Sequence, residues 1–301
     1  MELGMIGLGR MGANMTLRLL RGGHRVVGFD FNPDARKRVE QHGAESVASL
    51  DALITRLSKP RSLWMMVPSG DATEATIKAL LRLLSAGDTV VDGGNSNYKD
   101  TQRRARQFVD QQLNYIDCGT SGGIWGLTEG YSMMVGGEAG VVKQLQPIFE
   151  TLAPAPNRGW GRVGPSGAGH FTKMIHNGIE YGLMQAYAEG FSIMQHKKEF
   201  ELDLHQVAEI WREGSVVRSW LLDLTTIALK ENPALNGIAP FVPDSGEGRW
   251  TVAEAIDLNV PAPAITLALI ARLASRDPDS FASKMLSAMR NQFGGHEIKK
   301  Q

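Results

Sequence analysis

The sequence predicts an α/β domain with a doubly wound parallel sheet, followed by an all-α domain. Three observations predict it. Short apolar runs alternate with helical periods from Leu3 to about Leu152, the alternation of βαβ units. The first run ends in glycines spaced G-x-G-x-x-G at Gly7, Gly9 and Gly12. Beyond Asn157–Gly169, a linker-like segment of five glycines and a proline, strand patterns stop and helical periods continue alone. At 301 residues the chain can bury two cores, so residues 1–165 and 166–301 are the expected domains.

Composition narrows the partners. The 32 basic and 32 acidic side chains cancel, so no net field favours nucleic acid or an acidic membrane surface. An anionic ligand must therefore be held by a local cluster. No apolar stretch reaches the roughly eighteen residues needed to span a bilayer, and no leader pattern precedes the first strand. The single cysteine, Cys118, can form no internal disulfide and has no metal-ligand companions. Cytoplasmic localisation and no metal are the expectations.

Leu3–Ile6 reads as the first strand, and Met15, Leu17, Leu19 and Leu20 mark the helix after the glycine turn. A strand, a G-x-G-x-x-G turn and a helix N-terminus together suit a pyrophosphate, because the backbone approaches closely and N–H groups point at the anion. Gly7, Leu8, Gly9, Arg10, Met11 and Gly12 are the residues of that turn. The second strand, Arg25 to Asp30, ends in an acid about twenty residues on, where a ribose is expected. Asp30 can accept from both ribose hydroxyls and would repel a 2′-phosphate, which favours NAD, with NADP the weaker alternative. Phe31 and Asn32 continue that turn, and Arg36 is the nearest cation.

Ser62–Val67 reads as a buried strand, Ala72–Leu84 as a helix and Thr89–Asp92 as the next strand. In a doubly wound sheet, ligands lie outside the carboxyl ends of the strands. The loops holding Val67, Pro68 and Ser69 and then Asn95 should therefore border the cofactor, with Asn95 also placed to touch substrate. The strand Asn114–Cys118 leads into Gly119-Thr120-Ser121-Gly122-Gly123, whose small residues suit a carboxylate nest at Ser121, Gly122 and Gly123. Tyr131–Val135 reads as one more strand, followed by an amphipathic helix to Leu152.

The second half opens on a helix from about His170 to Gln195. Within it Lys173, His176, Asn177, Glu180 and Tyr181 share one face, collecting an amine, an imidazole, an amide, an acid and a phenol. Gly178, Gly182, Ala186 and Gly190 recur on the opposite side. Each interior glycine costs about 1 kcal/mol relative to alanine, a cost that close approach of another helix would offset. Helical periods follow at Leu204–Trp211, Val216–Leu229, Thr251–Leu258, Pro263–Leu273 and Phe281–Phe293.

Several strings resemble the 6-phosphogluconate dehydrogenase family, in its short form, within the β-hydroxyacid dehydrogenase superfamily. They are IGLGRMGANM from Ile6, DGGNSNY from Asp92, GTSGGIWG from Gly119, KMIHNGIEYG from Lys173, WREGSVVRS from Trp211, GRWT from Gly248 and RNQFGGH from Arg290. The opening string belongs to the whole superfamily, whereas the lysine-helix string and the tail are more specific. The resemblance implies a Rossmann-like NAD-binding domain and a helical substrate-binding and oligomerisation domain. It implies oxidative decarboxylation of a phosphorylated sugar acid in the pentose phosphate pathway or gluconate utilization. Lys173 matches the general base and Glu180 the general acid, with His176 and Asn177 beside them. Asn95, Ser121, Gly122, Gly123, His176 and Asn177 match the groups holding carboxylate and hydroxyls. Tyr181, Arg272 and Arg290 match the phosphate site, and His296 a hydroxyl contact.

The resemblance further implies a homo-oligomer, dimer or tetramer, whose tail completes a neighbour's site. Longer members of the family carry a second helical repeat that this chain lacks. They also place a lysine and a threonine where this sequence has Ser245 and Glu247, and Arg249 is the nearby candidate to replace the lysine. NADP-using members carry Asn-Arg-Thr at Asp30-Phe31-Asn32, in agreement with NAD here. Two other functions fit parts of the pattern: a dehydrogenase of a small 3-hydroxy acid such as 3-hydroxyisobutyrate, and a non-catalytic dinucleotide sensor. The former relatives generally lack the Glu-Tyr pair and the tail arginine and histidine, and a sensor need not keep the amine and acid.

Overall fold

The computed structural model describes residues 1–300, apart from the side chain of Phe293. It divides into two compact units, Met1–His176 and Asn177–Gln301.

The first unit is built on β1 (Glu2–Ile6), β2 (Arg25–Phe29), β3 (Glu45–Val47), β4 (Ser62–Met65), β5 (Thr89–Asp92), β6 (Asn114–Ser121), β7 (Ser132–Gly136) and β8 (Trp160–Gly164). They form one sheet in the order β3-β2-β1-β4-β5-β6-β7-β8. Neighbours run parallel except β6 and β7, which are antiparallel. The order reverses between β1 and β4, the switch point of a doubly wound sheet, where the strand ends open a ligand crevice. Helices α1 (Arg10–Arg21), α2 (Pro33–Glu40), α3 (Leu50–Arg56), α4 (Asp71–Leu83), α5 (Tyr98–Val109), α6 (Gly126–Glu129), α7 (Ala139–Gln144) and α8 (Gln146–Leu152) connect them.

Both sheet faces are buried, which is why the strands read as unbroken apolar runs. Leu3, Met5 and Trp64 pack into one core with Met15, Leu19 and Phe149. Their strand neighbours Ile6, Leu63 and Met65 pack into the other with Phe108 and Tyr115. The period of two is the strand pleat.

The second unit is helical. It takes most of α9 (Ala168–His196), then α10 (Leu204–Arg212), α11 (Trp220–Glu231), α12 (Glu247–Asp257), α13 (Pro263–Ala274) and α14 (Phe281–Gly294). Phe191, Leu204, Ala208, Leu222 and Leu229 form one core, and Tyr181, Ala268 and Leu269 a smaller one.

Several elements depart from the sequence reading. The glycine-rich segment is not wholly a linker, because Trp160–Gly164 pairs with β7 as β8. The β6 strand runs on through Ser121, paired to Ser132, so Gly119 and Thr120 belong to a strand rather than a loop. The helix expected up to Leu152 breaks at Leu145 into α7 and α8, with Pro147 in the first turn of α8. In the second unit α11 starts only at Trp220, where Ser219 accepts from Leu222 N; Val216, expected as helical, lies exposed before it. The expected close approach along the glycine side of α9 occurs at Gly178 alone. A Cβ there would stand 2.6 Å from Thr251 of α12, whereas Gly182 and Gly190 have nothing within 4 Å among the described residues.

Candidate active site

The turn after β1 has the build of a pyrophosphate cradle. Gly7 takes φ +91, where an L side chain is strained, and its Cβ would collide with Met66 O. A Cβ on Gly12 would lie 1.9 Å from Gly7 O, so α1 packs directly on the turn. At Gly9, by contrast, a Cβ would meet nothing within 4 Å among the described residues. Gly9 is also the N-cap of α1, with no side-chain cap and no acid in the first turn. The N–H groups of Arg10, Met11 and Gly12 thus sit at an uncapped positive helix end, which is the fit an anion needs.

Asp30 closes the adjacent strand. Its Oδ2 accepts from Leu8 N at 2.7 Å and its Oδ1 from Asn32 N at 2.8 Å, fixing the carboxylate at the crevice edge. The Leu8 side chain is buried against Gly28, so its part in the turn is its backbone. Arg36 donates to Asp30 O at 2.7 Å, which ties this cation to the backbone of the same turn. Phe31 is 85% exposed and packs edge-on against Phe29. Val67, Pro68 and Ser69 follow β4, and Asn95 follows β5, exposed between Gly94 and the buried Ser96.

The three glycines at and just beyond the end of β6 divide their work. Gly119 is a packing residue, since its Cβ would stand 2.3 Å from Lys173 Cβ and 2.7 Å from Gly169 O. Gly122 and Gly123, at φ +131 and +51, form the turn after Ser121. Lys173 is 7% exposed, and its Nζ lies 3.2 Å from His176 Nδ1. An imidazole nitrogen at that distance can accept from the ammonium or donate to the free amine. Asp92, Asp117 and His170, which the sequence reading passed over, are buried behind these groups. Each is a lone polar residue beside apolar or glycine neighbours, and no spacing marks it.

In the helical unit Asn177 and Tyr181 are buried and Glu180 is half-buried, all on α9. The Tyr181 hydroxyl is buried without a hydrogen-bond partner among the described residues. Such an orphan costs about 1–3 kcal/mol, and a bound acceptor would remove the cost. Arg272 of α13 lies with Cζ 3.6 Å over the Tyr181 ring and donates to Pro243 O at 3.0 Å. A cation and a phenol are thus brought together. Arg249 donates to Asp244 at 2.5 Å and so is paired with an acid, while Ser245 donates to the buried Glu247. Arg290 is exposed on α14, and His296 O accepts from Asn291 Nδ2 at 2.9 Å just past the end of that helix.

Comparison with known proteins agrees across the whole chain. Residues 2–161 match the NAD binding domain of 6-phosphogluconate dehydrogenase, and residues 169–287 match its C-terminal domain. An NAD(+)-dependent, decarboxylating 6-phosphogluconate dehydrogenase of Haloferax volcanii is 43% identical over 299 residues, covering 99% of this chain and 98% of that protein. A decarboxylating 6-phosphogluconate dehydrogenase of Lactococcus lactis is 37% identical over 311 residues, covering 98% of this chain but 66% of that longer protein. Among solved structures, the 6-phosphogluconate dehydrogenase of Plasmodium falciparum superposes with a TM-score of 0.84 at 28% identity, over 100% of this chain and 66% of that one. The glycine turn after β1, the buried lysine against β6 in the same unit and these matches agree: the chain belongs to the 6-phosphogluconate dehydrogenase family.

Proposed function

We propose that the chain oxidises and decarboxylates 6-phosphogluconate to ribulose 5-phosphate and carbon dioxide with reduction of NAD. The observation that carries this reading is the seat of Lys173, a buried amine held against β6 by a glycine and hydrogen-bonded to His176. The dinucleotide, when bound at the Gly7–Gly12 turn, supplies the hydride acceptor. Lys173 takes the proton of the C3 hydroxyl as hydride leaves C3. As an ammonium it then donates to the new C3 carbonyl, which lies β to the carboxylate and receives the electrons as carbon dioxide departs. Glu180, seven residues on along the same helix, returns a proton to the enediol carbon that becomes C1. Ser121, Gly122, Gly123, Asn95, His176 and Asn177 hold the carboxylate and hydroxyls. Tyr181, Arg272 and Arg290 hold the phosphate, giving the orphaned Tyr181 hydroxyl its acceptor.

One assay tests the reading: 6-phosphogluconate with each nicotinamide cofactor, following reduced cofactor and carbon dioxide together. Equal yields of the two are expected. Reduction without carbon dioxide would point to a small 3-hydroxy acid dehydrogenase, and neither product to a non-catalytic sensor.

NAD is the proposed cofactor because the Asp30 carboxylate, fixed by Leu8 N and Asn32 N at the end of β2, would repel a ribose 2′-phosphate, and Arg36 is tied to backbone. Asp30→Asn keeps the shape and removes the charge. A charged hydrogen bond is worth about 1.5–3 kcal/mol, so kcat/KM for NAD should fall about 10- to 100-fold while that for NADP holds or rises. An unchanged ratio of the two would remove Asp30 as the selector.

A homo-oligomer with shared active sites belongs to the same proposal. Its support is the exposure of Phe281, Met285, Leu286 and Met289 along α14, together with exposed Ile179, Leu183 and Ile193 beside Gly182 and Gly190 on α9. Truncation after Ala288 removes Arg290 and His296. KM for 6-phosphogluconate should rise at least about 10-fold, a charged hydrogen bond being worth about 1.5–3 kcal/mol, with NAD affinity unchanged. Unchanged KM for the substrate would exclude the tail from the site.

A further inference from the structure

The first turn of α9 is held by three elements of the sheet unit. Asp117 of β6, fully buried, accepts from Gly167 N at 2.7 Å through Oδ1 and from His170 N at 2.9 Å through Oδ2. A carboxylate thus satisfies orphan donors at the positive end of the helix. His170 is itself 2% exposed and engaged at both ring nitrogens. Nε2 lies 3.1 Å from Asp92 O, which can only accept, so Nε2–H donates there. In the neutral imidazole Nδ1 is then the acceptor for the Thr101 hydroxyl of α5 at 2.7 Å, a hydroxyl that also lies 3.2 Å from Asn97 O.

Asp92 ends β5 and uses its carboxylate in the other direction. Oδ1 accepts from Gly94 N at 3.2 Å, and Oδ2 from Ser96 Oγ at 2.9 Å and Tyr115 OH at 2.8 Å. Arg104 of α5 donates to Ser96 Oγ at 3.0 Å and to Glu74 at 2.7 Å. Burial opposes its charge, yet Tyr115, Glu74 and Asp92 hold the guanidinium above its ordinary value. Asn95 therefore stands between two anchored residues, Gly94 and Ser96. The loop of Asn95 and the helix of Lys173 hang on one residue: Asp92 grips the loop by its side chain and the helix through its carbonyl and His170. An apolar side chain could fill the place of His170 without this desolvation; the direction of its two hydrogen bonds is what the imidazole adds.

We propose that His170 is a positioning residue for catalysis, holding the first turn of α9, and with it the Lys173 amine one turn further on, in register with the Asn95 loop. This rests on the reading of Lys173 as the base. Three variants separate the parts: His170→Leu removes both ring contacts, Thr101→Val removes one hydroxyl at constant volume, and His170→Gln keeps an N–H for Asp92 O. Each is assayed for kcat, for KM of both substrates, for melting temperature, and for acetylation of Lys173 relative to the exposed Lys37 by sulfo-NHS-acetate and peptide mass mapping.

Misplacement of a catalytic group by about 1 Å costs on the order of 100-fold, so kcat should fall about 30- to 100-fold in His170→Leu, with KM for NAD within about twofold. Thr101→Val should fall between that variant and the wild type, and His170→Gln should recover most of kcat. Relative acetylation of Lys173 should change by at least about threefold in His170→Leu, as local protection is lost. The proposal is overturned by kcat within about twofold of wild type in His170→Leu, or in Thr101→Val should the former not fold. A fall in kcat with unaltered Lys173 labelling, or with no recovery in His170→Gln, overturns it as well. Labelling needs no turnover. A wild-type protein inactive on 6-phosphogluconate that still shows the labelling change would end the proposed function and leave the positioning role standing.

Discussion

Lys173→Met is expected to lower kcat by at least about 10³-fold, the range in which general acid–base groups act, while NAD binds nearly as before. Methionine keeps the unbranched stem that lies against Gly119, so α9 should stay seated, and the amine alone is lost. The contact of His176 Nδ1 with the amine at 3.2 Å is lost, a cost of about 1 kcal/mol in stability that should appear as a small fall in melting temperature. The chain offers a means of putting the amine back. Its single cysteine, Cys118, is fully buried, and burial pushes its thiol up to about 12, so it is inert to alkylation. Lys173→Cys treated with bromoethylamine therefore regains an amine at one site. Turnover absent in Lys173→Met and in untreated Lys173→Cys, but recovered after alkylation, identifies the amine as the base. Near-normal kcat in Lys173→Met would sink that assignment, and NAD affinity lost in parallel would show that the lysine serves the fold of the crevice instead.

How much of this was legible in the sequence depended on whether a residue's task repeats at a fixed spacing. The Gly7, Gly9 and Gly12 turn was readable because the three glycines stand at fixed offsets; the structure shows a steric reason at Gly7 and Gly12, while Gly9 leaves the uncapped helix end open. The face from Lys173 to Tyr181 was readable because a helix repeats every 3.6 residues. By contrast, β8 was missed because Trp160–Gly164 is glycine-rich and half-exposed, and its strand character comes from pairing with β7. The strands and helices between Asp30 and Ser62 are short: β3 spans 3 residues and α3 spans 7, too few to show a period. Asp117 and His170 were invisible for another reason. They lie far apart in the chain, and what joins them is a helix N-terminus meeting a strand, a tertiary contact that no local pattern encodes.

Gly119 shows what such a contact can mean for the chemistry. Read along the chain it opened the small-residue loop leading to the Ser121–Gly123 nest, but it sits within β6 opposite Met134, where a strand gains nothing from glycine's freedom. Its reason is the helix above it. A methyl group at Gly119 would stand 2.3 Å from Lys173 Cβ and 2.7 Å from Gly169 O, and neither is the free end of a side chain that could swing aside. Gly119→Ala must therefore lift the first turn of α9 off the sheet, against the hydrogen bonds of Asp117 and His170. Overpacking of this kind costs about 1–3 kcal/mol, so the melting temperature should fall by roughly 3–10 °C. The larger effect is on chemistry: the lysine stem is the atom group displaced, and kcat should drop about 100-fold. NAD affinity should hold, because the Gly7–Gly12 turn ends β1, three places away in the sheet. Gly161→Ala is the control, a strand glycine on β8 whose Cβ would meet nothing within 4 Å among the described residues. If Gly119→Ala keeps wild-type kcat while melting lower, the lysine does not depend on the seat that β6 provides. If both glycine variants lose activity alike, the loss comes from glycine removal in the sheet and not from contact with Lys173.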